Sequence, residues 1–322
     1  MEGKINKLST MTEETKQEGA VVKSLHFVLI PVTGVGLYQG FRGQDWYEYR
    51  LKIFKEFTLK SLQQQTAKAF ILWLTLRPEE EFNPATQELR EYLQKIDMPY
   101  VMTFEGLMYF DDKFAAEGIA NGFKNVARMA RRAILSRDIK GFFKGMRELL
   151  INKNKTLRAR LGRALSYLKA SFSDVDYVYV TRIDSDDIFH KDAIKEVQAC
   201  KPFAGALSFR IGYVYNKDTK ELGYWRPGTN PPFYTIIFDK DTFFDVDKYL
   251  EYYSGASFMH VPFHSHEDVI ETWRTYGLSE GKYCVLVHNY GHQISTVWNH
   301  PFRQGEIVAN KEKILKEFGI EA

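Results

Sequence analysis

Tyr177-Val178-Tyr179-Val180-Thr181-Arg182-Ile183-Asp184-Ser185-Asp186-Asp187 is the stretch on which the reading of this chain turns. Val178, Val180 and Ile183 stand among aromatic and β-branched neighbours, the composition of a largely buried strand. The strand runs straight into three carboxylates within four residues. Carboxylates that close repel one another and shift toward protonation unless a cation neutralises them. Their hard oxygens suit Mg²⁺ or Mn²⁺, and Mg²⁺ is usually held by one or two carboxylates while substrate phosphates complete its shell. The expectation is a metal-bound phosphate ligand at the carboxyl end of this strand, where open α/β sheets place their sites. The competing reading is an acidic turn that caps a helix over about 191–200, with Asp187 as the N-cap. A cap needs one carboxylate, whereas this turn has three. An EF-hand does not fit, because counting from Asp184 puts Phe189 where the loop needs Gly and Lys195 where it needs Glu.

Upstream, Leu25 to Pro31 reads as a buried first strand that ends before Thr33-Gly34-Val35-Gly36. That glycine pair is only a faint dinucleotide signal, since Gly40 comes one place late for the third. Between Trp46 and Gln65 the apolar residues Leu51, Ile53, Phe54, Phe57 and Leu62 recur at helical spacing. Phe70 to Leu76 is a second buried strand, Pro84 to Ile96 a helix with Pro in its first turn, and Tyr100 to Phe104 a third strand. Strands alternating with helices in this way predict a parallel sheet with crossover helices.

Downstream, Ala206 to Tyr215 and Glu221 to Trp225 read as antiparallel strands, with a further strand at Phe233 to Phe238. Tyr213, Tyr215, Tyr224 and Trp225 offer flat apolar faces that suit sugar rings and suit a core equally. His264-Ser265-His266-Glu267-Asp268 then leads into a short helix containing Trp273. It is not a zincin, because Ile270 stands where the second His is required. Glu267 or Asp268, at the mouth of that helix, is a candidate general base, and Asp268 is equally suited to cap it. Tyr283 to Val287 is a strand followed by His288-Asn289-Tyr290-Gly291-His292, and His288 is the candidate ligand in that loop.

With 322 residues, 44% apolar and 15% aromatic, the chain has ample material for a core, which excludes global disorder. The net charge of +3 points to no partner by itself. Its distribution does: from Arg128 to Lys169 there are thirteen basic residues against Asp138 and Glu148, interleaved with Phe142, Phe143, Met146, Leu149 and Leu150. Such a segment is either a solvated helical face or a basic amphipathic element suited to an anionic membrane surface. Arg128 is a candidate for reaching a diphosphate. Cys200 and Cys284 alone make no disulfide framework, so a reducing compartment is expected. Residues 1–22 read as a flexible tail without an apolar signal-type core, and no apolar run is long enough to cross a bilayer. The expected location is cytoplasmic, with peripheral association at the membrane.

The order of these parts resembles the GT-A fold glycosyltransferases of the family 2 type, and more closely the bacterial rhamnosyltransferase group. The likeness lies in Trp46, Arg50, Phe54, Ser61, Leu62, Gln65, Thr66 and Phe70, in Thr181 to Asp187, and in Val287-His288-Asn289-Tyr290-Gly291 with Ser295. It implies an α/β fold: a GT-A-like (Rossmann-like), mostly parallel central sheet flanked by helices, a helical basic insertion over about 137–170, and a small antiparallel acceptor-side sheet. The glycosyltransferase domain would cover 23–300 and a helical tail 301–322. The resemblance implies Asp186, with Asp184 and His288, on Mn²⁺ or Mg²⁺. It implies Thr33, Arg50, Arg128, Arg182, Asp184 and Asp187 on the nucleotide-sugar donor, and Asp268, with Glu267, as the base of an inverting transfer. Trp225 and Trp273 would lie toward a glycan or lipid-linked acceptor. The family's acidic residue after the second strand has no counterpart in Thr75-Leu76-Arg77-Pro78, which leaves the nucleoside contacts open.

Two rivals remain. A metal-dependent phosphoesterase or nuclease would need a second ligand group early in the chain, and Thr33 to Gly43 supplies none. A polyanion-binding module on the basic segment would leave the strand-end carboxylates without a purpose, so no nucleic-acid partner is expected.

Overall fold

The structure is a computed structural model that describes residues 12–17, 20–33, 43–104, 159, 161–172, 174–228, 230–254, 269–288, 298 and 304–321. It is a mixed α/β fold with a mostly parallel central sheet flanked by helices. The parallel centre is β2 (Ala20–Pro31), β3 (Ile71–Thr75), β4 (Tyr100–Thr103) and β5 (Tyr177–Arg182), ordered β4-β3-β2-β5. Beyond β5 the sheet continues with β10 (Tyr234–Asp239), antiparallel to both β5 and β7 (Gly205–Ser208), and then β11 (Thr275–Gly277), parallel to β7. A polar strand, β1 (Thr12–Gln17), pairs antiparallel with the start of β2. It contains no apolar residue, so no hydrophobic period announces it.

Both faces of the central strands are covered, which is why they read as continuous apolar runs. Val28, Ile30, Leu72, Leu74, Tyr179 and Ile183 pack against Tyr47, Leu51, Phe54, Leu89 and Leu93, from the helices α1 (Gln44–Ile53) and α3 (Pro84–Lys95) and the turn that follows α1. Phe27, Leu29, Ile71, Trp73, Val178 and Val180 pack on the other side against Leu161, Ala164, Leu165, Leu168 and Phe172 of a helix over 161–172. That helix is the part of the basic segment within the described residues. Its apolar residues recur every three or four positions, as a single buried stripe requires.

One polar row crosses this interior. His26 Nε2 lies 2.7 Å from Thr181 Oγ1, which lies 2.6 Å from Thr235 Oγ1. Burial pushes the His26 imidazole down to about 3, so it is neutral here.

A second sheet, β13-β9-β8-β12-β6, comprises β6 (Ile188–Phe189), β8 (Gly212–Asn216), β9 (Glu221–Trp225), β12 (Tyr283–Val287) and β13 (Gln304–Ile307). It is mixed rather than purely antiparallel, because β8 and β12 run parallel. Val214, Trp225, Tyr283 and Val285 face the main core. Tyr215, Leu222, Cys284 and Leu286 face Ile53, Phe57, Leu315 and Phe318. The π-helical turn Phe54–Leu59, between α1 and α2 (Lys60–Gln63), serves both clusters. Its wider winding lets one helix present Leu51, Phe54, Leu59 and Leu62 to the first cluster, and Ile53 and Phe57 to the second.

One local expectation is corrected. Ala206 to Tyr215 is not one strand: β7 belongs to the main sheet and β8 to the second. The break is at Phe209 to Ile211, and β8 opens on Gly212, where a Cβ would sit 2.5 Å from the Tyr283 carbonyl, so only glycine lets these backbones approach. The further strand expected at Phe233 to Phe238 is β10, and it lies in the main sheet. The C-terminal helix Lys311–Glu317 ends in a Schellman turn: Gly319, at φ 79°, donates to Lys316 O, and Ile320 N to Leu315 O. No described helix is long and apolar enough to cross a membrane.

Candidate functional site

From β2 the chain moves outward through β3 and β4, then returns to place β5 on the other side of β2. The switch point therefore lies between β2 and β5, and in open α/β sheets ligands bind outside the carboxyl ends of the strands at such a point. Thr33 follows β2 there, and Asp184, Ser185, Asp186 and Asp187 follow β5. Ser185, fully buried, donates from Oγ to Val32 O at 3.2 Å and ties the two strand ends together.

Two elements converge on Asp186. Arg50 of α1 bonds both its carboxylate oxygens, at 2.5 and 2.9 Å, and donates from Nε to Ser185 Oγ at 2.8 Å. His288, just past β12, brings Nε2 to 3.3 Å from Asp186 Oδ2. Tyr49, also on α1, holds its ring 6.0 Å from the His288 ring. Burial alone would raise the Asp186 carboxyl, but the Arg50 charge and the bonds from His288 and Arg50 outweigh it and hold the group at about 2.

The other two carboxylates differ. Asp184 accepts from Arg182 at 2.9 Å and is partly exposed. Asp187 is buried and accepts from Leu286 N at 3.1 Å. It does not cap the next helix. Burial, then the charges of Asp186 and Asp184, push its carboxyl well above the usual range. The Leu286 bond also pins β12 to the acidic turn, which is how His288 arrives there from 102 residues away.

The helix after the turn, Ala193–Ala199, starts later than expected and takes its cap from elsewhere. Gln65 Oε1 accepts from Ile194 N at 3.0 Å while its Nε2 donates to His190 O at 2.9 Å. Ser61 Oγ accepts from Phe189 N at 3.3 Å, and Thr66 N donates to Lys191 O at 2.8 Å. Ser61, Gln65 and Thr66 thus clamp the chain that leaves the acidic turn.

Glu80 was missed in sequence. It lies in the turn Pro78–Glu80 after β3, is 1% exposed, and receives Thr33 Oγ1 and, at 3.0 Å, Arg77 N. An acidic residue thus follows the second strand two positions beyond Thr75 to Pro78, on a folded-back turn. The signal was Glu at the third position after a turn-opening residue, half of a capping box. Burial raises the Glu80 carboxyl to about 7, against the bonds from Thr33 and Arg77. A raised folded-state value means the native state holds the proton between roughly pH 4.5 and 7. The stability it contributes is therefore full below 4.5 and lost as pH rises through 7. Glu80→Gln, which stays neutral, should gain about 2–3 kcal/mol on the wild type between pH 5 and 8. Melts at the two pH values test this, and a constant offset would refute it.

Arg128, Glu267 and Asp268 lie outside the described residues. Trp225 and Trp273 are both buried, the first in the core between the sheets and the second beside Tyr252 on the opposite face of the main sheet.

At the acidic turn the His288 nitrogen lies 3.3 Å from Asp186, while the Asp184 carboxylate is turned to Arg182. The group of three such side chains that could hold a metal ion among the described residues is instead His190, Asp192 and Glu317, with one donor atom from each within 4.8 Å of the others. There the Lys191 ammonium already lies 2.9 Å from Asp192 and 3.2 Å from Glu317, so the cluster acts as an ionic clasp on the C-terminal helix.

No family model matches the chain, and no curated protein matches it. Among solved structures it is similar to the inositol-1-phosphate CTP transferase from T. maritima, at 11% identity and a TM-score of 0.29, over 81% of this chain and 84% of that one. At that TM-score the likeness says nothing of what this chain acts on.

Proposed function

We propose that the protein is a metal-dependent glycosyltransferase that moves a sugar, with inversion, from a nucleotide diphosphate donor to a hydroxyl of a glycan or lipid-linked acceptor. The observation that supports this most is the meeting of the acidic turn, Arg50 and His288 at the sheet's switch point. In this reading Asp186, Asp184 and His288 hold Mn²⁺ or Mg²⁺, which when bound offsets the charge that develops on the leaving diphosphate. Thr33, backed by the buried Glu80, lies on the nucleoside side, Arg128 on the diphosphate, and Arg182 and Asp187 toward the donor sugar. Asp268, assisted by Glu267, takes the proton of the acceptor hydroxyl as attack begins, a step worth roughly 10² to 10⁴ in rate. Trp225 and Trp273 support the acceptor side from beneath as packing residues. One GT-A unit over 23–300 carries the chemistry, and the basic segment rests on an anionic membrane surface.

A thermal-shift panel of sugar nucleotides with and without Mn²⁺ tests the reading. A ligand at a hundred times its Kd stabilises the native state by about 2.7 kcal/mol. One nucleotide class should raise the midpoint, and only with Mn²⁺ present. A flat response across the panel would overturn the proposal.

A further inference from the structure

Arg50 takes more of Asp186 than a passing ion pair would. Its fork meets both carboxylate oxygens while its third nitrogen is fixed on Ser185, and both side chains are about 15% exposed or less. A carboxylate has about four lone-pair positions. The fork takes two of them and the His288 nitrogen faces a third. The pair is electrically neutral as it stands. A divalent ion on the same carboxylate would lie within a few ångströms of the guanidinium, and in so enclosed a place two cations on one anion repel strongly.

We propose that Arg50 is the resident cation of the Asp186 position, and that a divalent ion binds there only as the guanidinium leaves. This rests on the metal assignment proposed above and adds an order to it. The displaced guanidinium needs another anion, and a planar fork is well matched to phosphate oxygens. A diphosphate that arrives with the ion supplies that anion. Ion and diphosphate therefore each bind poorly alone and promote one another, and by linkage the promotion is equal in both directions. The empty site is kept neutral, and a bare ion is not retained.

The test is Mn²⁺ binding to the full chain, followed by electron paramagnetic resonance without any nucleotide, in wild type, Arg50→Met, Arg50→Lys and Arg50→Met with Asp186→Asn. Arg50→Met should bind Mn²⁺ on the order of tenfold to a hundredfold more tightly than wild type, the range expected from losing charge-assisted bonds. Arg50→Lys, with a point charge in place of a fork, should fall between them and serves as the readout if the Met variant does not fold. Adding Asp186→Asn should return binding to the wild-type level or below. Equal or weaker Mn²⁺ binding in both Arg50 variants overturns the proposal. No donor sugar enters the experiment, so a failed transferase reading and a failed exchange at Asp186 are told apart.

Discussion

Asp186→Ala should lower donor turnover by at least about 10²–10³-fold, the loss seen when a single group that stabilises transition-state charge is removed. Two contacts meet on this carboxylate, the Arg50 fork and the His288 nitrogen, and Arg50 is itself tied through Ser185 to the end of β2. The variant should also lose about 3 kcal/mol of stability, because Arg50 is left as an uncompensated charge in a largely enclosed place. Asp186→Asn keeps the shape and one acceptor oxygen, so it should recover part of the stability and little of the activity. Comparing the two in a transfer assay and a melt separates structural from chemical loss. Undiminished turnover by Asp186→Ala would remove the metal assignment.

Gln65→Leu carries the second large effect, on folding. Gln65 is completely buried, and its amide is the cap of a helix that has no cap of its own: Asp192, at the start of Ala193–Ala199, turns its carboxylate instead to Thr66, at 2.8 Å, and Lys191. Leucine fills the same space but leaves Ile194 N buried without an acceptor and removes the bond to His190 O. An orphaned buried donor and a lost bond together amount to about 4 kcal/mol. Denaturant midpoints measure it, and an unchanged midpoint would show that the clamp is dispensable. The loss should loosen the segment from Phe189 to Lys191, directly beyond the acidic turn, so donor affinity should fall together with stability.

Much of the architecture was legible because it is local. Buried strands announce themselves as apolar runs, and β9 (Glu221–Trp225) and β12 (Tyr283–Val287) fall where the alternation and turn residues place them. The helix of Pro84–Lys95 starts at its proline, with Asn83 accepting from Ala85 N at 2.9 Å. Three carboxylates after a hydrophobic strand marked the candidate site at the carboxyl end of that strand. Ser61, Gln65 and Thr66 were visible as part of a resemblance, but their work as a clamp was not.

By itself the sequence determined which segments must be buried, that strands and helices alternate through the first half, and that clustered charge stands at the end of β5. Only the tertiary structure decided that β10 runs against its neighbours, that one apolar run is divided between two sheets, that Glu80 folds back to Thr33, and that Arg50 closes on Asp186 from 136 residues away. The physical reason is one of range. Periodicity and turn chemistry are set by residues a few positions apart. A pairing partner, or the counter-charge of a buried carboxylate, is chosen by which distant surfaces the whole core brings together.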